Sequence, residues 1–186
     1  MFGASQTRNE VFVLKKDKTS DIVTDRVKVT TKILPLRALK HSQLRELSEL
    51  QGKAAVSYLK FRYGSLNTYI LLAYVGKTLA HVEWIVPASK IRFRYNFVTN
   101  DSYSIISCLT SQSFRGLGIY PSQIQKVVES DIPARMFWIW TASTNIPSLK
   151  GIRKAGGVKV GEFVQKKRFW GCISHVKYFP GGNDSK

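Results

Sequence analysis

The run Arg115-Gly116-Leu117-Gly118-Ile119-Tyr120-Pro121 combines two closely spaced glycines with a proline, a pattern suited to holding an anion. Glycines two apart let a backbone bend tightly and approach a ligand with no Cβ in between. A helix starting here would aim several unpaired N–H groups, and the positive end of its dipole, at one spot. Proline is tolerated at a first helical position, where its missing N–H would have no partner anyway. With Pro121 there, the amides of Leu117, Gly118, Ile119 and Tyr120 are expected to point outward together. A phosphate or pyrophosphate is the expected occupant. Two familiar phosphate loops do not fit: a P-loop needs Lys and Ser or Thr after its last glycine, and Ile119 and Tyr120 stand there. A Rossmann turn needs a small residue where Pro121 stands.

A second group could move protons. In Leu79-Ala80-His81-Val82-Glu83-Trp84-Ile85-Val86, strand alternation gives an apolar set, Ala80, Val82, Trp84 and Val86, expected to pack inward. His81 and Glu83 then share the opposite face. Glu83 is the only acidic residue between Glu49 and Asp101. Glu83 or His81 could accept a proton directly or through water; a surface ion pair between Glu83 and a nearby Lys or Arg is the plainer alternative. Asp101 and Tyr103 are weaker candidates. His41, His81 and His175 are far apart in sequence, and neither Cys-x-x-Cys nor Gly-x-Ser-x-Gly occurs, so no metal is expected and no serine nucleophile.

The elements that must position these groups can be read from pattern. Residues 103–129 read as strand, glycine turn and helix. Met136-Phe137-Trp138-Ile139-Trp140 is wholly apolar, as in a strand buried on both faces of a parallel pair. Residues 141–148 carry cap-type side chains and Pro147, and Gly156-Gly157 stop the helix that follows. Earlier, Val11 to Leu14 and Val27 to Leu34 are strand candidates. Leu36 to Leu50 and Ala54 to Phe61 have helical character. Gly76-Lys77 joins Thr68–Val75 to Thr78–Val86 as a hairpin. Lys90 to Tyr95 alternates strictly and would, as a strand, set Lys90, Arg92 and Arg94 against Ile91, Phe93 and Tyr95. Lys166-Lys167-Arg168 reads as a solvated turn. The order is that of an α/β or α+β fold with a mixed sheet.

The central pattern resembles the acyl-CoA N-acyltransferase (GNAT) superfamily. Arg115-Gly116-Leu117-Gly118-Ile119 is similar to that family's loop between its fourth strand and third helix, although Ser113 stands where Gln or Arg is usual. Asn145, Ser148, Lys154 and Gly156 are similar to the family's next helix, with two departures: Ile152 replaces the usual Tyr, and Gly157 the usual Phe. The resemblance covers roughly Tyr103 to Val164. It implies one domain, a mixed and mostly antiparallel central sheet flanked by helices, spanning 26–180. An N-terminal segment, 1–25, would precede that domain and a polar tail, 181–186, would follow. It implies that the amides of Arg115, Gly116, Leu117, Gly118, Ile119 and Tyr120 hold the pyrophosphate of acetyl-CoA or another acyl-CoA. Asn145 and Ser148 would border the pantetheine arm, and Lys150, Arg153 or Lys154 would approach the adenosine phosphates. Backbone N–H groups near Leu109 and Thr110 would face the thioester carbonyl. With Ile152 in the tyrosine's place, Tyr120, Ser148 or water would protonate the leaving thiolate.

The resemblance further implies direct attack by an amine, with proton removal and oxyanion binding supplied by the enzyme. A primary amine on a small molecule is the first expectation, with amino sugars a narrower one. The chain is strongly basic, 29 Lys and Arg against 12 Asp and Glu, net +17. Such a field attracts a phosphate-rich coenzyme, and its excess leaves room for a nucleic acid, a nucleotide-linked substrate or an anionic membrane. The alternatives are therefore acyl transfer to aminoacyl-tRNA or a similar amine, and a non-catalytic CoA- or nucleic-acid-binding module. Two cysteines, Cys108 and Cys172, are too few for a disulfide framework, and Cys108 suits a buried strand position. No signal-like or bilayer-length apolar run occurs, so a cytoplasmic setting is expected. Oligomeric state has no sequence signal.

Overall fold

A computed structural model describes residues 6–16, 26–93, 95–167 and 173–181, with only the backbone of 166, 167 and 173–176. Eight strands form one sheet: β1 (Gln6–Lys15), β2 (Val29–Pro35), β3 (Tyr69–Val75), β4 (Thr78–Pro87), β5 (Ser102–Thr110), β6 (Met136–Ala142), β7 (Val158–Lys167) and β8 (Ile173–Pro180). Their order is β2-β3-β4-β5-β6-β1-β7-β8. Only β5 and β6 run parallel; the other pairs are antiparallel. Four helices flank the sheet: α1 (His41–Gln51), α2 (Lys53–Tyr63), α3 (Ile119–Glu129) and α4 (Ile146–Lys154). The expected mixed, mostly antiparallel sheet is thus what forms.

Helices cover both faces, so central strands are apolar on both sides. In β1, Val11 and Val13 join Leu47 of α1 and Val56 and Leu59 of α2 in one core. Phe12 and Leu14 join Ile124 and Val127 of α3 and Leu149 and Ile152 of α4 in the other. The described part of the expected N-terminal segment is therefore an inner strand. β1 pairs with β6 on one side and β7 on the other, and its four apolar residues are at most 6 % exposed.

Several expectations need correction. Pro121 is the third residue of α3, not the first, because Gly118 at φ 82° serves as the N-cap. It still lies in the first turn, where its missing N–H costs nothing. The described residues of 90–95 form no strand. Ala88–Lys90 is a 3-10 turn, and the Tyr95 amide donates to the Ile91 carbonyl (3.1 Å). Ile91 and Tyr95 are buried, whereas Phe93 is 67 % exposed, so the alternating pattern follows a turn that packs every fourth residue. Arg94 lies outside the described residues. Lys166 and Lys167 belong to β7 rather than to a turn, held in register by β1 and β8; Arg168 lies outside the described residues. So does Cys172, and so do residues 182–186 of the polar tail. Leu36 precedes the helix proper in a 3-10 turn, Leu36–Ala38.

Candidate active site

The site is built where β5 parts from β6. Their parallel ladder runs only from Ser102↔Met136 to Ile105↔Ile139. Beyond Ile105 the strand edge that faced β6 has no sheet partner there, and the chain enters a bulge. Val82 of β4 opposes Leu109, but Trp84 opposes Ile106, so β5 carries one extra residue. Ser107 takes it up at φ 51°, the only non-glycine residue with positive φ among the described residues. Gln51, at the end of α1, pins the bulge: its Nε2 donates to the Ser107 carbonyl (2.9 Å) while its Oε1 accepts from Trp84 Nε1 (2.9 Å).

The extra residue changes which side chains face α3 and α4. Tyr103 and Ile105 lie on that face, and strict alternation would continue with 107 and 109. Instead Leu109 packs on the opposite core, and Cys108 packs against the α3–α4 core. Thr110 also comes to that side, where its hydroxyl meets His81 Nδ1 at 2.7 Å. His81 Nε2 lies 2.9 Å from Glu83 Oε1, and both side chains are fully buried. The surface ion-pair alternative for Glu83 therefore does not hold: its partner is His81, beneath the helices. The inward apolar set of β4 is confirmed, and the opposite face, which carries His81 and Glu83, proves equally enclosed.

Glu83 Oε2 is buried with no hydrogen-bond partner among the described residues. Burial pushes the Glu83 carboxyl above its ordinary range, an effect only partly offset by His81. Tyr120 lies over this pair, its ring centroid 5.8 Å from that of His81. Its hydroxyl is within hydrogen-bonding reach of the Cys108 thiol and of Ser148 on α4. Burial, reinforced by Cys108 and Glu83, pushes the Tyr120 phenol well up; burial and the Glu83 carboxylate do the same to the Cys108 thiol. Both groups are thus held in their protonated forms. Cys108 is, as expected, a strand residue packed against the apolar core, and its thiol also borders this polar cluster. Glu83, His81, Thr110, Cys108, Tyr120 and Ser148 come from β4, β5, α3 and α4 and meet at one place.

Helix α4 makes room for the phenol. A Cβ on Gly151 would lie 2.6 Å from the Tyr120 ring, so glycine there is what lets the ring lie against the helix. One on Gly157 would lie 2.6 Å from the Ile152 Cγ2, and Ile152 itself is fully buried. The two departures from the family pattern thus fit each other: Ile152 is a core residue, and the glycine accommodates it.

Between β5 and α3 lies the glycine loop. Gly116 (φ 79°) and Gly118 (φ 82°) both take the left-handed conformation. Among the described residues no hydrogen bond engages the amides of Gly116, Leu117, Gly118, Ile119 or Tyr120. A Cβ at Gly116 would meet nothing within 4 Å. The loop is an open cradle of donors, which fits a pyrophosphate. Arg115 is exposed, and its Nε donates to the Thr110 carbonyl (3.2 Å), tying the loop to the end of β5.

The remaining sequence candidates divide. Asn145 caps α4, its Oδ1 accepting from the Ser148 amide (3.3 Å). Lys150 and Lys154 are exposed, whereas Arg153 is engaged by Glu10 (3.0 Å) and by the Phe12 ring. Asp101 precedes β5 and Tyr103 is its second residue, about 30 and about 23 Å of extended chain from Thr110, and neither reaches the cluster. Sequence reasoning missed Gln51, which carries no local signal, and the hydrogen bond by which the Thr110 side chain fixes His81.

No protein-family model matches the chain, and no curated protein matches it. Solved structures do. A conserved protein of unknown function from Staphylococcus epidermidis aligns over 87 % of this chain and 61 % of its own, with TM-score 0.62 and 14 % identity. A GNAT-family acetyltransferase from Colwellia psychrerythraea aligns over 88 % and 57 %, with TM-score 0.59 and 13 % identity. A Bacillus subtilis acetyltransferase in complex with CoA aligns over 69 % and 76 %, with TM-score 0.50 and 16 % identity. The chain thus spans about three fifths of the length of the first two. At these identities the likeness is one of fold, and it agrees with the sheet and helices described above: this chain has the fold of the GNAT superfamily.

Proposed function

We propose that the protein transfers an acetyl or other short acyl group from acyl-CoA to a primary amine. The observation that carries this reading is the open row of unpaired amides from Gly116 to Tyr120, placed beside a buried acid–base cluster at the end of β5. The B. subtilis neighbour, which has this fold, was solved with CoA. In this reading the loop amides hold the coenzyme's pyrophosphate, and Lys150 and Lys154 add positive charge for the adenosine phosphates. The acyl-pantetheine arm lies along the edge of β5 that β6 has left, with Asn145 and Ser148 beside it. Backbone N–H groups near Leu109 and Thr110 receive the oxyanion.

The chemistry then needs two proton transfers. The amine nitrogen attacks the thioester carbonyl, and the tetrahedral intermediate collapses by breaking the carbon–sulfur bond. Glu83, whose Oε2 has no partner among the described residues and whose affinity for protons is raised, takes the proton that the amine must lose, and His81 holds Glu83 through Oε1. Thr110 fixes the far nitrogen of His81. Tyr120, kept neutral by burial, returns a proton to the departing thiolate. That thiolate has a pKa of roughly 8.5, so it needs only modest help to leave.

The acceptor favoured first is a small molecule, with amino sugars the narrower case. The net charge of +17 favours a second acceptor, an amine carried by a nucleic acid such as aminoacyl-tRNA. The test is release of free thiol from acetyl-CoA across a panel of amines that includes amino sugars and charged tRNA. Amine-dependent release is expected. Acetyl-CoA that raises the melting temperature without any amine-dependent release would leave a CoA-binding module and remove the enzyme reading.

A further inference from the structure

The surface contributed by residues 51–100 is unlike the rest of the chain. Its only acidic residue is Glu83, which is fully buried, so every exposed charge in this stretch is positive. The carboxylates that bracket it are Glu49, which is paired with Arg45, and Asp101. The same stretch holds four of the seven large apolar side chains that stand exposed among the described residues. They are Tyr58 (54 %), Phe61 (88 %), Leu66 (68 %) and Phe93 (67 %).

Three of these side chains lie on or just after helix α2, and the fourth is held against that helix. Helix α2 buries Val56 and Leu59 and turns Tyr58 and Phe61, three residues apart, outward together. Leu66 follows in the turn after its C-terminus. Phe93 is brought alongside by Arg62, whose guanidinium lies 4.4 Å from the ring centre. Lys53 and Lys60 on α2, and Lys90 and Arg92 near Phe93 in sequence, are exposed as well. Solvated single apolar residues are ordinary, but a cluster rimmed by one sign of charge marks a contact surface.

We propose that this face docks on an anionic lipid surface. The cations find the negative headgroups, and Phe61 and Leu66 enter the boundary between headgroups and acyl chains. A single-stranded nucleic acid would use the same cations but would want aromatic faces to stack on. Leu66 has no such face, and Phe93 already has a guanidinium over its ring. Lipid therefore fits the apolar half of the patch better. Because α2 starts two residues after Gln51, docking would hold the candidate active site near the membrane plane. The inference needs no coenzyme and stands independently of the acyl-transfer reading.

The experiment is co-sedimentation of the full chain with vesicles of phosphatidylcholine alone, or with about a third phosphatidylserine. Binding to the anionic vesicles only, weakened by salt, is expected. Two double variants separate the parts of the patch, F61S/L66S and K60E/K90E. All four positions are exposed, and an unfolding midpoint equal to the wild type's verifies the fold. Each removed cation should weaken partitioning about fivefold, and F61S/L66S should lower it by at least tenfold at a salt level where the wild type still binds. The proposal is overturned if anionic vesicles do not bind, if both variants bind like the wild type, or if poly(U) and not vesicles is bound through these residues.

Discussion

The glycine loop before α3 and the helix α4 lie close together and use glycine for opposite ends. At Gly116 the space that a side chain would occupy is open, and the amides of Gly116 to Tyr120 have no partner among the described residues. At Gly151 and Gly157 that space is filled by this chain's own Tyr120 and Ile152. One region keeps its room open among the described residues. The other has given its room to a phenol and to the core. Glycine in a sequence therefore carries two messages, and only the neighbouring atoms tell them apart.

The strongest challenge to this contrast lies under Tyr120. Glu83→Gln keeps the shape of the side chain and removes its basicity, so amine-dependent turnover should fall by about 100-fold or more. The same variant has a stability signature. Burial raises the folded-state Glu83 carboxyl above 4.5, so the folded protein holds this proton more tightly than the unfolded chain. Its stabilising effect is full below that pH and is lost as pH rises through the folded value. The glutamine variant should gain on the wild type over that window, as urea titrations at stepped pH would show.

A second variant asks whether α4 is truly full. Ile152→Tyr restores the residue usual in the family, but 152 is fully buried and touches the space at Gly157. Overpacking should cost about 1–3 kcal/mol in thermal or urea unfolding, with no gain in rate. Gly116→Ala probes the open side. The left-handed φ of 79° should make alanine cost about 1–2 kcal/mol of stability. The added methyl has room in the free protein, so weaker acetyl-CoA binding by calorimetry would mean that the coenzyme needs the same space. Smallest is Tyr120→Phe, where about a tenfold fall in turnover is expected, because a thiolate leaves with little assistance. That loss should shrink when the leaving thiol is made more acidic.

Much was legible before any coordinates. The hairpin at Gly76-Lys77, the apolar strand 136–140, the helix after the glycine loop and the cap at Asn145 all rest on local chemistry, and local chemistry survives folding. The stretch 90–95 misled because alternation and fourfold spacing share Ile91 and Tyr95, and only packing chooses between them. Lys166 and Lys167 misled because strand pairing can carry charged residues that would otherwise read as a turn.

The sequence alone determined the loop that can hold an anion, and the pairing of His81 with Glu83 on one face of a strand, since a period of two admits no other arrangement. Tertiary structure decided that this face is buried and that Cys108 and Thr110 join it. The added residue at Ser107 shifts β5 by one place, and a one-residue shift turns every later side chain to the other side of the sheet. It also decided where Tyr120 lies, because the gap beside Gly151 exists only once α3 and α4 have packed on the same core.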